Sequence, residues 1–597
     1  MDIELQKRIN EVVIALGEIS AQPIDFNQMD PVAKMMLVAL VCETQKVQDY
    51  ADKASERIVE RFCTHFIPRE KVEAMPAVCI LRPELKQRGN DTLVTIGSGA
   101  EFTYKMQDSK EPLNYIPLFN TTLLPHSGLY LINHNCIREG WNSIDIFMDK
   151  PNQAWVGIKT NVEINCLHGL SMMIRGTNGI TPEHVVMGTT GHELDFSTML
   201  EMENIEMAEP FDAQQSSTAF FSLIENWKEN LLNISDTQLL YITDKTEDRD
   251  VFKPRQFPRV FQQWMESEVL DSFNTSTIWL RLDFPEGYVV PDDFNVEINM
   301  LPVTNIDVCS LMLTQAQPIA KLQKSDNSYF LRVLETSTAA NRQGFNMNRD
   351  EIIIRDFDAV CYNNADLYRD VRSLYNRFVD DYYAFIEYNG IKDGEVLKQL
   401  RETINRLGKS VGQTNDTFSF DSGTYAMKNM NQYPPTLSTR VSYITTMGRI
   451  GNTPRVGETM ENKREPALEQ KATVAVSAMG GADKATADER YEQLRYYSLT
   501  NDRLYTRMDI DAFLRKELMA EFGKDEFRRI FVKMTIEGTG GSDFLKRGLY
   551  INIEFKDKKN YEHATAMALE HLLEQRIRNR SCIAMPITIT LKNLEEE

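Results

Sequence analysis

Histidine pairs are the residues of this chain whose types and spacing could bind a metal ion or move a proton. His563 and His571 lie on one predicted helix, but eight residues of separation correspond to ~12 Å of rise, too far for one metal site. His184 and His192 flank the sequence MGTTG in a predicted loop, with no cysteine or carboxylate cluster at ligand spacing. We therefore expect them to be ordinary surface histidines.

Other stretches that could do chemistry lack the full set of groups it needs. The run Gly538-Thr539-Gly540-Gly541 has no Gly-Lys-Ser/Thr and precedes a predicted strand, so it is typical of a turn between strands. Asp380 and Asp381 are adjacent on a predicted helix and face different directions, which makes a poor acid–base pair. No GxSxG, HExxH or GxGxxG motif is present. The sequence predicts no catalytic, cofactor or metal site, and it favours a structural protein over an enzyme.

Composition narrows the class of protein further. A chain of 597 residues is too long for one core. The net charge of −21, from 87 acidic and 66 basic residues, argues against a general nucleic-acid binder. The eight cysteines form no CxxC motif, so they are expected to be reduced, mostly buried thiols of a cytosolic protein. The polar N-terminus is not a signal peptide, and no apolar run approaches the ~20 residues of a spanning helix.

A long amphipathic helix is the strongest element that the N-terminal region predicts. Asp30 is a candidate N-cap and Pro31 the first helical residue, and apolar residues recur at spacings of three and four up to Phe66, before Pro68 ends the helix. Roughly 35 residues give ~50 Å, which is longer than a small domain. We expect the apolar stripe to be a partner interface; the alternative is a helix lying across its own domain. The interface residues are Val32, Met36, Leu40, Val47, Tyr50 and Ile58.

The predicted fold class is α+β and multidomain: long N-terminal helices, β-rich middle domains, a helical hairpin and a small C-terminal α+β domain. Alternating apolar segments at high density predict the β domains, and the proline-rich stretch at 252–261 separates them. The predicted divisions are 1–75 (helical), 76–250 and 251–360 (β-rich), 361–408 (helical hairpin), 409–488 (extended linker or arm) and 489–597 (C-terminal assembly domain).

The C-terminal domain has the clearest signals. Thr506 is a candidate N-cap with Asp509 three residues later, followed by the apolar residues Ile510, Phe513, Leu514 and Leu518 at helical spacing. Two alternating strands, FRRIFVKMTIEG and RGLYINIEF, come next. A helix over 560–576 and a strand through Ile587 close the domain, and the basic residues Arg576, Arg578 and Arg580 suit the C-terminal end of a helix.

Four segments, in order, resemble the TssF subunit of type VI secretion baseplates, a relative of contractile-tail wedge proteins. They are DPVAKMMLVALVCETQKVQDYADK (30–53) with RPEL (82–85), FNVEINMLPVTN (294–305) ending in Pro-Val-x-Asn, the segment 480–518, and FLKRGLYINIEF (544–555). Within 480–518 the pattern GG…R…R-x-x-T-x-x-D falls on Gly480, Gly481, Arg490, Arg503, Thr506 and Asp509. The chain thus resembles a divergent member of that family.

The resemblance implies a structural subunit without cofactors. Two copies would join one TssG-like subunit in a wedge, and wedges would surround the spike hub, bind a TssK-like adaptor and carry the initiator of the contractile sheath. It implies a cytoplasmic location at the inner face of the bacterial inner membrane, reached through partners and not by membrane insertion. Two alternatives stay open: a wedge protein of a phage tail or phage-derived injection system, and an enzyme with a scattered active site that uses His184 or His192.

Overall fold

The computed structural model describes most of the middle and C-terminal parts of the chain and a short piece of the N-terminal region. The described ranges are 29–41, 73–86, 93–97, 99–106, 111–140, 142–177, 179–198, 237–339, 352–357, 402–406, 423–428, 438–522, 527–538, 545–566, 569–582 and 585–593, with single positions at 12, 13, 26, 44, 67, 376 and 399. The predicted continuation of the N-terminal helix to Phe66, most of the hairpin at 361–408 and the start of the arm at 409–422 lie outside the described residues.

Strands dominate the described part, as the alternating sequence predicts. The first fourteen are β1 (Val78–Leu85), β2 (Val94–Ile96), β3 (Phe102–Tyr104), β4 (Leu113–Pro117), β5 (Thr121–Leu123), β6 (Gly128–Ile132), β7 (Cys136–Glu139), β8 (Asn142–Asp145), β9 (Gln153–Lys159), β10 (Ser171–Arg175), β11 (His184–Met187), β12 (Glu193–Leu194), β13 (Phe196–Thr198) and β14 (Thr237–Ile242). The others are β15 (Thr277–Asp283), β16 (Asn295–Ile298), β17 (Leu301–Thr304), β18 (Asp307–Leu313), β19 (Ile319–Lys321), β20 (Tyr329–Ala339), β21 (Ile353–Phe357), β22 (Gly423–Met427), β23 (Ser438–Thr446), β24 (Thr459–Asn462), β25 (Leu468–Met479), β26 (Phe527–Gly538), β27 (Leu545–Phe555) and β28 (Ile587–Asn593).

Within the described residues, most helices lie near the two ends of the chain; between them are one short helix and a helical stretch at 402–406. They are α1 (residues 31–41), α2 (Ser267–Ser272), α3 (Ala487–Thr500), α4 (Arg507–Phe522), α5 (Lys558–Ala566) and α6 (Leu569–Arg580), with 3-10 turns at Arg259–Gln263 and Gly448–Asn452. The α+β multidomain class predicted from the sequence is confirmed.

A closed six-stranded barrel in the order β1-β17-β4-β3-β24-β25 joins strands from distant parts of the chain. β25 alternates buried and outward residues and pairs antiparallel with β1, with Leu81 opposite Val474. The predicted extended arm at 409–488 is therefore wrong for residues 438–479. Its polar composition comes from the outward positions of strands, because only every second residue of such a strand needs to be apolar.

A sandwich of two sheets packs beside the barrel. The seven-stranded sheet β12-β11-β15-β9-β6-β7-β8 and the four-stranded sheet β13-β14-β10-β16 share one apolar core. β15 pairs with both β9 and β11, so strands on either side of residue 251 belong to one sheet. The predicted division into β domains at 76–250 and 251–360 is wrong, because the proline-rich stretch connects β14 to β15, which belong to the two sheets of one sandwich.

The outer face of the seven-stranded sheet is also buried. Trp155 and Trp279 point away from the sandwich core and contact Phe261 of the 3-10 turn, with ring centroids 4.9 and 5.0 Å away. The proline-rich stretch thus covers this sheet with an aromatic cluster. Two three-stranded sheets, β18-β23-β20 and β19-β22-β21, and a two-stranded sheet, β2-β5, complete the described β region.

The C-terminal unit is a three-stranded sheet, β26-β27-β28, packed against helices. β26 and β27 pair antiparallel, whereas β27 and β28 are parallel across the α5–α6 connection. The apolar stripe predicted on α4 is in its core, since Ile510, Phe513, Leu514 and Leu518 are all at most 3% exposed. Where one helix was predicted over 560–576, the structure has α5 and α6, with residues 567–568 outside the described residues.

Candidate partner interface

The start of α1 follows the capping signals in the sequence. The Asp30 carboxylate Oδ1 accepts hydrogen bonds from the backbone amides of Val32 (2.8 Å) and Ala33 (3.4 Å). Pro31 is the first helical residue, where its missing N–H leaves no acceptor unpaired. The predicted N-cap is confirmed.

One side of α1 is covered by its own chain. Leu37 and Val41 are 8% and 3% exposed and form a small cluster with the buried Val13. Phe26 packs against the same cluster, and the Lys34 ammonium lies 5.9 Å from the centroid of its ring. These inward residues are not among those that the sequence analysis selected, so the helix has two apolar sides.

The other side carries a row of exposed large apolar side chains, which we name the α1 outer face: Val32, Met35, Met36 and Leu40. Their exposed fractions are 65%, 74%, 70% and 60%. Three of the predicted interface residues, Val32, Met36 and Leu40, belong to this face. The other three, Val47, Tyr50 and Ile58, lie outside the described residues. Adjacent exposed apolar side chains of this size are typical of a binding surface.

The histidines considered for chemistry are placed differently from the prediction. His184 belongs to strand β11, not to a loop, and its Nδ1 lies 2.5 Å from Glu193 Oε1. His192 Nε2 lies 3.0 Å from Asp244 Oδ2. Burial raises the pKa of Asp244, but hydrogen bonds from Thr246 and His192 outweigh it, so the net pKa is lowered. Each histidine therefore has a carboxylate partner that the sequence analysis missed, since Asp244 is distant in sequence.

Cys166, whose thiol lies beside Asp244, does not complete a nucleophile–base pair. Cys166 Sγ lies 3.6 Å from the Asp244 carbonyl oxygen, and burial raises the pKa of its thiol. A protonated thiol is a poor nucleophile. His168 is held by the Thr243 carbonyl, 3.1 Å from its Nδ1. Among the residues that the structure describes, no group of three or more His, Cys, Asp or Glu side chains is arranged to hold a metal ion.

Cysteine burial also differs from expectation. Of the five cysteines within the described ranges, all free, only Cys79 is buried; Cys136, Cys166 and Cys309 are half-buried and Cys582 is exposed. The prediction of mostly buried thiols is wrong for these positions. Within the described parts of the chain, no helix is long and apolar enough to cross a membrane.

Asn305, the last residue of the Pro-Val-x-Asn motif, joins three strands of the fold. Its side-chain oxygen accepts from the Met447 amide (3.0 Å) and the Thr446 hydroxyl (3.2 Å), while its Nδ2 donates to the Asn114 carbonyl (2.9 Å). Its own amide donates to the Ala77 carbonyl at 2.8 Å. Because Asn305 is 1% exposed, losing it would leave buried backbone groups unpaired. This motif residue has a structural role.

The second motif region joins the barrel to the C-terminal unit. Gly481 exchanges two 2.8 Å hydrogen bonds with the Asn452 side chain. Thr486 and Glu489 form a capping box at the start of α3, and Thr506 and Asp509 form the equivalent reciprocal pair at α4, with hydrogen bonds of 2.8 and 3.3 Å. The predicted cap at Thr506 is confirmed.

No sequence signal predicted a half-buried ion cluster in the C-terminal unit. Glu517 pairs with Lys516 (2.8 Å) and with Arg576 of α6. Desolvation raises the pKa of the Glu517 carboxyl, but the two cations outweigh it and hold the pKa well below its usual range. The Lys516 ammonium also lies 4.7 Å from the ring centroid of Tyr496. The cluster thus fixes α3, α4 and α6 to one another.

Comparisons with known proteins give two solved assemblies. No family model matches the sequence, and no curated protein is similar to it. A chain of the type VI secretion TssK-TssF-TssG baseplate subcomplex is similar over 94% of this chain and 97% of that chain, at 10% identity and a TM-score of 0.40. A chain of the type VI secretion baseplate complex is similar over 98% and 95%, at 11% identity and a TM-score of 0.30. Because both TM-scores are below 0.5, these likenesses decide neither fold nor function.

Proposed function

We propose that this chain is a structural subunit of a type VI secretion baseplate, and that the α1 outer face packs against a TssG-like partner in a helical bundle. The proposal extends the interface along the predicted helix through Val47, Tyr50 and Ile58. Further partners would be a second copy of the chain, a TssK-like adaptor, the spike hub and the sheath initiator. The protein would act in the cytoplasm, docked at the inner membrane through these partners.

One observation carries the proposal: α1 buries Leu37 and Val41 against its own chain and still exposes Val32, Met36 and Leu40 by 60% or more. Burying a Leu or Met side chain stabilises an interface by about 1.5–3 kcal/mol. Because one face of α1 is already packed against its own chain, the opposite face can bind a second helix without disrupting that packing. The ordered series of TssF-like motifs in the sequence agrees with this role.

Co-expression of the chain with its genomic neighbours tests the proposal. We expect a TssG-like protein to co-purify, and the double variant L40D/V47D to lose it, because two carboxylates would be buried in an apolar contact. L40M is the matched control, since it keeps an apolar side chain of similar volume, and it should bind like the wild type.

A second variant separates binding from folding. Leu40 is exposed, so L40D should leave the thermal transition unchanged, whereas V41D should lower it because Val41 is 3% exposed. Wild-type co-purification of L40D/V47D would refute the proposed interface. Absence of any TssG-like partner in the wild-type complex would refute the proposed function itself.

A further inference from the structure

The turn between α3 and α4 is held rigidly by the core beneath it. Leu504 is 1% exposed, and its backbone amide donates to the Arg580 carbonyl at 2.9 Å. Asn501 and Asp502, just before it, have positive φ angles of 48° and 61°. Asn and Asp adopt this conformation more readily than other non-glycine residues, and here contacts from neighbouring helices also hold it.

The contacts that hold the backbone of this turn come from α3 and α6. The Tyr496 hydroxyl donates to Asp502 Oδ1 at 2.8 Å, and Arg580 Nε lies 3.4 Å from the same oxygen. Tyr496 is fully buried and its ring contacts Lys516 of the ion cluster. The turn is therefore fixed before any ligand arrives, which lowers the entropy cost of binding.

The side chains that this turn exposes to solvent are both apolar and basic. Leu499, Tyr505 and Met508 are 53%, 67% and 70% exposed. Arg503 and Arg507 are exposed between them, and within the described part of the chain neither side chain has an ion-pair partner. We name these five residues the α3–α4 turn surface.

We propose that the α3–α4 turn surface binds an acidic segment, with apolar side chains, of a partner protein in the assembly; this rests on the proposed function. Guanidinium groups bind carboxylates through two parallel hydrogen bonds. Tyrosine and methionine supply contact area that adapts to a partner. The net charge of −21 opposes binding of nucleic acid to this chain. The positive charges of Arg503 and Arg507, beside apolar side chains, therefore favour an acidic protein segment as the partner.

A site-specific photocrosslink in the co-expressed complex tests the contact. p-Benzoylphenylalanine replaces Tyr505, and the matched control replaces Phe147, which is 76% exposed after β8 of the seven-stranded sheet. We expect position 505 to crosslink a partner peptide with more Asp and Glu than Lys and Arg, and at a higher yield than position 147.

Charge variants test the chemistry of the same surface. R503E/R507E should weaken binding of the crosslinked partner about tenfold, and more at low salt than at high salt. R503K/R507K keeps the charge but loses the paired hydrogen bonds of the guanidinium groups, so it should bind about threefold more weakly than wild type and more tightly than R503E/R507E. Both arginines are exposed, so neither variant should change the melting temperature.

Three results would overturn the inference: a crosslink yield at 505 no higher than at 147, an adduct with nucleic acid or a basic peptide, or R503E/R507E binding within about twofold of wild type. If the wild-type chain binds no partner at all, the proposed function fails and this inference fails with it. If partners bind through α1 but position 505 forms no crosslink, only this inference fails.

Discussion

Arg449, in the 3-10 turn after β23, donates from Nη1 to the backbone carbonyl of Glu521 at 3.2 Å, in the last turn of α4. Its Nη2 donates to the Ala520 carbonyl as well. A cation at a helix C-terminus satisfies free carbonyls and complements the helix dipole. Arg449 thereby links the β region to the end of α4, next to the stretch where Gly481 packs.

Replacing Arg449 by Ala should loosen the end of α4. The loss of hydrogen bonds from a charged donor is expected to cost about 1 kcal/mol, and amide exchange at residues 518–522 should accelerate. Arg440→Ala is the matched control, because Arg440 is exposed on β23 and its guanidinium donates to the Ser310 hydroxyl at 3.4 Å, away from α4. Equal exchange in both variants would mean that Arg449 does not hold the helix end.

Glu517 should make stability depend on pH. Its pKa is lower in the folded protein than in the unfolded chain, where a glutamate titrates near ~4.3. The stabilisation is therefore complete above that pH and is lost as pH falls toward the folded pKa. E517Q should lower the free energy of unfolding by about 2 kcal/mol at pH 7, because it removes the charged acceptor shared by Lys516 and Arg576. It should also weaken the dependence of that free energy on pH below ~4.3.

Glu574→Gln serves as the control for that experiment. Glu574 pairs with Arg578 on the surface of α6, with side chains 29% and 38% exposed, and such a pair contributes about 0.5 kcal/mol. Unfolding measured by urea at several pH values compares the two. A pH dependence that E517Q leaves unchanged would contradict the assignment.

Thr506 should stabilise α4 through its hydroxyl. Thr506→Ala removes the acceptor of the Asp509 amide and is expected to cost about 1 kcal/mol. Thr506→Ser keeps the oxygen and should retain most of the stability. A thermal transition of the alanine variant equal to that of the serine variant would show that the cap contributes nothing.

Gly481 should tolerate no side chain. A Cβ there would overlap the Gly448 carbonyl oxygen and contact the Ala77 Cβ at 3.0 Å, so Gly481→Ala should cost about 2 kcal/mol. Gly99→Ala is the control, because nothing lies within 4 Å of its Cβ position. Similar urea midpoints for both variants would contradict the close packing at residue 481.

Local patterns predicted individual elements well because each depends on near neighbours. The alternating segments become β1, β9 and β15, and the Thr506 signal starts α4 one residue later. What the sequence could not show is which strands pair: β1 and β25 meet across nearly 400 residues. No local pattern encodes that partner, so local patterns alone predict a linker where the strands at 438–479 lie.

The same limit of local sequence patterns applies to the α1 outer face. Helical spacing selected Val32, Met36 and Leu40, but it could not tell which apolar side the chain covers itself, because Leu37 and Val41 are equally apolar. Likewise Glu517 and Arg576 come together only when α4 and α6 pack. Contacts between elements, and not the elements themselves, are what sequence patterns omit.

The most direct measurement of the central claim is the reactivity of a thiol on the α1 outer face. Met36→Cys, at a position 70% exposed, should react rapidly with maleimide in the free chain and at least about tenfold more slowly when the TssG-like partner is bound. Phe147→Cys, quantified by mass spectrometry in the same sample, should react equally in both states. Protection at position 36 alone is the predicted result; equal reactivity at position 36 in the free and bound chain would contradict the proposed interface.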